Sequence, residues 1–146
     1  MLKWGGLKGY VDGSLGSTTA WFHQPYLDDP ASTGLTITDT TDLRNWVKGA
    51  DKAGLHVAVH AIGDRANDFI LSVYEDVDKS NGSRDRRFRV EHAQHVRLES
   101  IENFAKQHVI ASMHPYHLVD DGIWAYKRLD EKRLRGTYAF KEMMNK

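Results

Sequence analysis

The chain has 146 residues, enough for one domain with its own hydrophobic core. Its 20 basic and 20 acidic residues give a formal net charge of zero, which argues against nucleic acid as a partner. The chain has no cysteine, which excludes disulfides and thiolate metal sites, and no apolar run that would place it in a membrane. No segment resembles a signal peptide, so we expect a cytoplasmic location.

The N-terminal part of the chain predicts a strand, a long loop and a helix. Residues 7–12 alternate with period two, which is typical of a strand and puts Lys8 and Asp12 on one face. A turn-rich loop then reaches Gly34, and loops of this length are usually functional or disordered. The first helix is predicted over residues 39–53. Its apolar stripe consists of Leu43, Trp46, Val47 and Ala50.

Strands and helices alternate through the middle of the chain. Predicted strands cover residues 55–60, 87–92 and 109–113, and the helices between them cover residues 65–79 and 98–108. The second of these helices is expected to bury Leu98 together with its other apolar residues. This order predicts a parallel sheet with right-handed crossovers. Beyond Pro115 the pattern weakens and predicts a short helix over 122–127 and another from 130 towards 144.

Two predicted strands each end on a histidine, His60 and His92. Parallel α/β proteins place their active sites at the C-terminal ends of strands, and adjacent strands lie about 4.8 Å apart. The two imidazoles can therefore converge on one metal ion. Alternation predicts that Val90 shares a face with His92, whereas Glu91 lies on the helix side and pairs with Arg87 or Arg89. Four further histidines are expected at the surface or half-buried. These are His23, His56, His95 and His108.

The motifs around these histidines resemble a known family. HAIGDRA at residues 60–66 and VEHAQ at residues 90–94 are similar to TIM-barrel metal-dependent amidohydrolases. KGYVDGSLGSTTA from Lys8 and ASMHPYHL from Ala111 extend the resemblance over nearly the whole chain. The resemblance implies an α/β fold, a half TIM barrel of about four parallel strands alternating with helices. Residues 1–146 would form a single domain, the central part of such a barrel.

The resemblance also implies a hydrolase in which a divalent metal, usually zinc, activates water for attack on a C–N bond or a related bond. The substrate of the full-length enzyme would be a small amide-like molecule. By position in the motifs, His60 and His92 match the metal ligands, and Lys8 matches a lysine that can be carboxylated to bridge two metals. The residues expected beside the substrate are Asp12, Ser14 and His117.

Parts of the family's site have no counterpart here. The chain contains neither the His-x-His pair of the first barrel strand nor the aspartate segment of the eighth, and a complete barrel takes about 250 residues. We therefore expect little hydrolase activity from this polypeptide alone. Two alternatives stay open, a non-catalytic module that self-assembles and an enzyme built from several copies. The open strand edges of a half barrel favour a homo-oligomer.

Overall fold

A computed structural model describes residues 5–146, and a four-stranded parallel sheet lies at its centre. The strands are β1 (Gly6–Tyr10), β2 (His56–Ala61), β3 (Arg89–His92) and β4 (Ile110–Ser112), and they pair in chain order. Three helices connect them, α1 (Thr40–Lys52), α2 (Asp64–Asn81) and α3 (Leu98–Lys106). The predicted α/β fold, with four parallel strands alternating with helices as in half of a TIM barrel, is confirmed.

The connecting helices cover one face of the sheet. Val57 and Val59 of β2 and Val90 of β3 are fully buried on this face, where they meet the apolar stripes of the helices. The opposite face carries Lys8 and Ala58, which are directly paired in the register of β1 and β2 and are less buried. The sheet therefore has one face buried against the helices and one less buried face. We call the less buried face, which carries Lys8, Ala58 and His60, the open side.

The first helix is confirmed, but its apolar stripe is narrower than predicted. The Asp39 side chain accepts hydrogen bonds from the backbone N–H groups of Thr41 and Asp42, so it caps the helix. Leu43 and Val47 are fully buried, whereas Trp46 is 52% exposed. Leu98, at the first position of α3, is likewise exposed. The prediction that Trp46 and Leu98 are buried is therefore wrong. Each lies at the margin of the apolar stripe of its helix.

The long loop between β1 and α1 is ordered and has a core of its own. Leu15, Phe22 and Tyr26 are buried in a second apolar cluster, which also contains Ile62 from the β2–α2 turn. The cluster extends to Leu129, the residue that follows helix α4 (Pro115–Arg128). The loop therefore forms a packed layer over the C-terminal end of β2.

The C-terminal region differs most from the prediction. Helix α4 begins seven residues earlier than the predicted start at 122, since Pro115 occupies its first turn. The single helix predicted from 130 onwards is two short ones, α5 (Glu131–Leu134) and α6 (Phe140–Met144). Between the two helices, Tyr138 has a left-handed backbone with φ 51°, and one continuous α-helix cannot pass through such a residue. None of the helices described between residues 5 and 146 combines the length and apolar character of a membrane span.

Candidate metal centre

His60 lies on the open side of the sheet at the C-terminal end of β2. Its neighbour in the register is Tyr10 of β1, and their rings are 5.4 Å apart between centroids. The His60 Nε2–H donates a hydrogen bond of 2.8 Å to the carbonyl oxygen of Gly13. Because a carbonyl only accepts, the proton of neutral His60 is on Nε2 and the lone pair is on Nδ1. A backbone carbonyl that orients an imidazole in this way is typical of metal-binding histidines.

His92 reaches the open side through a break in strand alternation. The register pairs Val59 with Val90 and His60 with Glu91, so Glu91 lies on the open side and Val90 on the helix side. The predictions that Glu91 faces the helices and that Val90 shares the face of His92 are therefore wrong. His92 has a left-handed backbone, with φ 76°, and its ring centroid lies 4.6 Å from that of His60.

The two strand-end histidines belong to a cluster of four imidazoles. His92 stacks on His114 and on His117, with centroid distances of 4.9 and 5.1 Å. Burial lowers the pKa of His92 to about 4, and the charges of neighbouring His60, His114, His117 and Lys8 act in the same direction. His92 is thus neutral at pH 7, the state in which an imidazole binds metals. Within residues 5–146 its buried Nδ1 has no hydrogen-bond partner.

Asp12 is a buried carboxylate close to His60, and it connects two loops of the chain through hydrogen bonds. Its Oδ2 accepts from the backbone N–H groups of Trp21 and Gly63, both at 2.8 Å, and its Oδ1 accepts from that of Ile62 at 3.0 Å. The residue is 1% exposed, and its Oδ1 lies 3.5 Å from Nε2 of His60. The predicted substrate contact by Asp12 does not fit this geometry, because both oxygens are enclosed and occupied. Asp12 instead ties the long loop to the turn after β2.

Lys8 lies on the open side of β1, in register with Ala58. Burial lowers the pKa of its ammonium group, while the nearby Glu91 carboxylate acts to raise it. Glu91 accepts a hydrogen bond of 2.8 Å from Arg89, which confirms one of its two predicted pairings. The structure therefore places Lys8 on the face of the strand-end histidines, close enough for its charge to act on His92.

The two other residues expected beside the substrate lie at different places around the cluster. Ser14 begins the loop after Gly13, and its Oγ lies 2.8 Å from that of Ser17 within a group of hydroxyls. His117 lies in the first turn of α4, where its ring stacks on His92. Substrate contact by these two residues stays a prediction.

The donor set fits a metal only in part. His60 and His92 have their rings in contact, and imidazole nitrogens of this kind are suitable zinc ligands. Among residues 5–146, however, no group of three or more histidine, aspartate or glutamate side chains is arranged to hold a metal ion. Catalytic zinc usually has three protein ligands and one open position. These residues therefore provide two nitrogen ligands and not a full set.

His95 is a functional candidate that the sequence analysis misses. It is 1% exposed, so the expected surface or half-buried position is wrong. Its Nδ1 lies 2.9 Å from Oγ1 of Thr137, and its Nε2 lies 3.1 Å from the side-chain nitrogen of Gln94. Burial lowers the pKa of His95 to about 3. Thr137 follows 42 residues later in the chain, and no local pattern connects the two.

We expect the buried His95 to destabilise the fold in acid. Its pKa of about 3 lies below the usual value of about 6.5, so between these values the unfolded chain binds a proton that the folded chain does not. Stability therefore falls with decreasing pH, by up to about 1.4 kcal/mol per pH unit from this group. Urea unfolding from pH 7 to pH 4 should give a shallower slope for His95→Asn. The control is His108→Asn at an exposed position, and equal slopes for wild type and His95→Asn would contradict the assignment.

The comparisons with known proteins show the family to which the chain belongs. The sequence model of the Amidohydrolase family matches residues 1–146, and the chain belongs to that family. Two solved structures are similar to it, uncharacterized metal-dependent hydrolases from Pyrococcus horikoshii OT3 and Pyrococcus furiosus. They share 35% and 34% identity with TM-scores of 0.85 and 0.86, and each covers 97% of this chain. The predicted resemblance to metal-dependent amidohydrolases is confirmed.

Curated relatives come from a plant and a bacterium. Protein LONG AFTER FAR-RED 3 of Arabidopsis thaliana is 48% identical over 97% of the chain. Putative amidohydrolase YtcJ of Bacillus subtilis (strain 168) is 34% identical over 99% of the chain. The chain spans 24% and 27% of the lengths of these relatives and 28% of each of the two solved chains. It therefore corresponds to about a quarter of each.

Proposed function

We propose that this chain provides two metal ligands, His60 and His92, to a metal-dependent hydrolase that cleaves C–N bonds of non-peptide amides or related bonds. The observation that carries the proposal is the contact of their rings at the ends of adjacent strands, 4.6 Å between centroids. The buried Nδ1 of His92, which has no hydrogen-bond partner within residues 5–146, and the tautomer that Gly13 selects for His60 support it. Family membership supplies the hydrolase class.

Zinc is the metal we propose. Neutral imidazole nitrogens are preferred zinc ligands, and a zinc ion lowers the pKa of a bound water towards 7, which supplies the nucleophile for hydrolysis. Lys8 is the candidate for a further ligand because it lies on the same face with a lowered pKa. Ser14 and His117 are proposed to contact a small amide-like substrate. Residues 5–146 offer two histidine ligands and no complete cluster of metal-binding side chains. We therefore expect the chain alone to catalyse hydrolysis weakly or not at all.

Zinc binding tests the proposal directly. We expect the metal-free chain to bind one zinc ion and the double variant His60→Ala, His92→Ala to bind it at least about tenfold more weakly, a loss of about 1.4 kcal/mol. The matched control is His56→Ala, His108→Ala, which removes two exposed histidines and should bind zinc like the wild type. Isothermal titration calorimetry with elemental analysis gives affinity and stoichiometry. Equal affinity of wild type and the strand-end variant would contradict the proposal.

A second candidate function is assembly without catalysis, and one surface favours it. Helix α4 exposes Tyr116, Val119 and Ile123, at 70%, 66% and 59%, on one side. In the described sheet β1 and β4 are edge strands, and open edges can pair with another copy. Light scattering distinguishes the candidates, because a monomer at high concentration that still binds zinc through His60 and His92 fits only the first. Homo-oligomer formation and a cytoplasmic location stay predictions.

A further inference from the structure

Gln94 connects the histidine cluster to a buried polar network. The residue is 1% exposed and lies two positions after His92. Its side-chain nitrogen lies 3.2 Å from Oδ2 of Asp121 and 3.1 Å from Nε2 of His95. Its side-chain oxygen lies 3.2 Å from Nδ1 of His117. A single buried amide thus contacts a carboxylate and two imidazoles.

The carboxylate of Asp121 sets the direction of these hydrogen bonds. An ionised carboxylate only accepts, so the Gln94 NH₂ group must face Asp121 and the Gln94 carbonyl oxygen must face His117. That oxygen also only accepts, so His117 donates through Nδ1–H. In the neutral ring the lone pair is then on Nε2, the nitrogen that makes no contact with Gln94.

The hydrogen bonds of His95 and Thr137 indicate the same orientation of the Gln94 amide. The Thr137 hydroxyl donates to the carbonyl oxygen of Arg133 at 3.1 Å, so its oxygen is free to accept from His95 Nδ1–H. Nε2 of neutral His95 is therefore an acceptor, and the Gln94 NH₂ group donates to it. Two independent acceptors, the Asp121 carboxylate and the Arg133 carbonyl, thus agree on one orientation of Gln94.

We propose that Gln94 is a positioning residue, which holds His117 in the tautomer with its proton on Nδ1 and its lone pair on Nε2. His117 stacks on His92, so its ring belongs to the histidine cluster at the ends of the strands, and the Nε2 lone pair lies in the plane of that ring. It would accept a hydrogen bond from a donor group of the substrate, such as an amide N–H. This consequence rests on the proposed function, whereas the tautomer itself requires neither metal nor substrate.

The tautomer of His117 can be read by long-range ¹H–¹⁵N correlation spectra of the imidazoles in the metal-free chain, at alkaline pH. We expect an Nδ1–H pattern for His117 in the wild type. In Gln94→Leu, which removes the acceptor, the pattern should change to Nε2–H. The matched control Gln24→Leu changes an exposed glutamine and should leave His117 unaltered.

A second variant covers the event that Gln94→Leu does not fold. Gln94→Met removes the amide acceptor but keeps the length of the buried side chain, and it should likewise change the His117 pattern to Nε2–H. An Nε2–H pattern in the wild type, or the same pattern in the wild type and in the folded variants, would overturn the proposal. Equal zinc affinity of the wild type and the His60→Ala, His92→Ala variant would overturn the proposed function and leave this inference standing, so the two failures are distinguishable.

Discussion

Replacing Asp12 with alanine is expected to lower the free energy of unfolding by about 3–6 kcal/mol. The carboxylate accepts from three backbone N–H groups, those of Trp21, Ile62 and Gly63. The Ile62 and Gly63 donors would be left buried without their partner at a cost of about 1–3 kcal/mol each, and the part-buried Trp21 donor adds a smaller cost. A typical domain has only about 5–15 kcal/mol of stability.

The loss should be local as well as global. The donors of Asp12 come from the long loop and from the turn between β2 and α2, so the variant should loosen the region that holds His60. Urea unfolding gives the stability, and hydrogen exchange of Ile62 and Gly63 amides reports the local opening. The control is Asp29→Ala, an exposed carboxylate in the same loop, with an expected change within about 0.5 kcal/mol. Equal stability of Asp12→Ala and Asp29→Ala would contradict the anchoring role.

Arg86→Ala is expected to lower the free energy of unfolding by up to about 3–5 kcal/mol, the range for breaking a buried ion pair. The Arg86 guanidinium donates 2.9 and 2.7 Å hydrogen bonds to Asp51 and Asp78. The side chains of Arg86 and Asp51 are 5% and 1% exposed, so the variant would leave a buried carboxylate with weaker compensation. Arg84 and Asn81 also donate to Asp51 and limit the damage.

The effect of Arg86→Ala should depend on pH. Burial acts to raise the pKa of Asp51, but hydrogen bonds from Arg86, Asn81 and Arg84 outweigh it and hold the pKa below its usual value. Stability from Asp51 is therefore complete above about pH 4, the usual carboxyl pKa, and is lost as the pH falls through the lower folded value. The difference between wild type and variant should narrow below about pH 4.

The neighbouring Arg87 provides the matched control. Its ion pair with Asp85 is solvent-exposed, with side chains 73% and 63% exposed, so Arg87→Ala should change stability by less than about 1 kcal/mol. Urea unfolding of both variants at pH 7 measures the contrast. If Arg86→Ala costs no more than Arg87→Ala, the buried ion pair does not contribute as its geometry indicates.

The fold was predictable where burial leaves a regular pattern. Helix periodicity placed α1, α2 and α3, and the alternation of strands and helices predicted the parallel sheet. Prediction failed at α4 because much of its apolar surface is exposed, so its residues do not separate into a buried and a solvent face. It also failed between α5 and α6, where the left-handed backbone of Tyr138 leaves no trace in a hydrophobic pattern.

The candidate site was predictable in its pair of strand-end histidines and not in its supports. His60 and His92 follow from strand order and motif resemblance, and the structure brings their rings together. The backbone turns left-handed at His92 and Ala93, so strict alternation counted back from His92 put Glu91 on the wrong side. The anchoring by Asp12 and the burial of His95 depend on partners 9 to 51 residues away in the chain. Such contacts appear only when the chain is folded.

The central claim is that His60 and His92 bind one metal ion together. The most direct test is a crystal of the zinc-loaded chain, with diffraction recorded on both sides of the zinc absorption edge. We expect one anomalous peak, about 2.0–2.1 Å from a ring nitrogen of His60 and the same distance from a ring nitrogen of His92. A peak on other residues with none between these two imidazoles, or no peak in a zinc-loaded crystal, would contradict it.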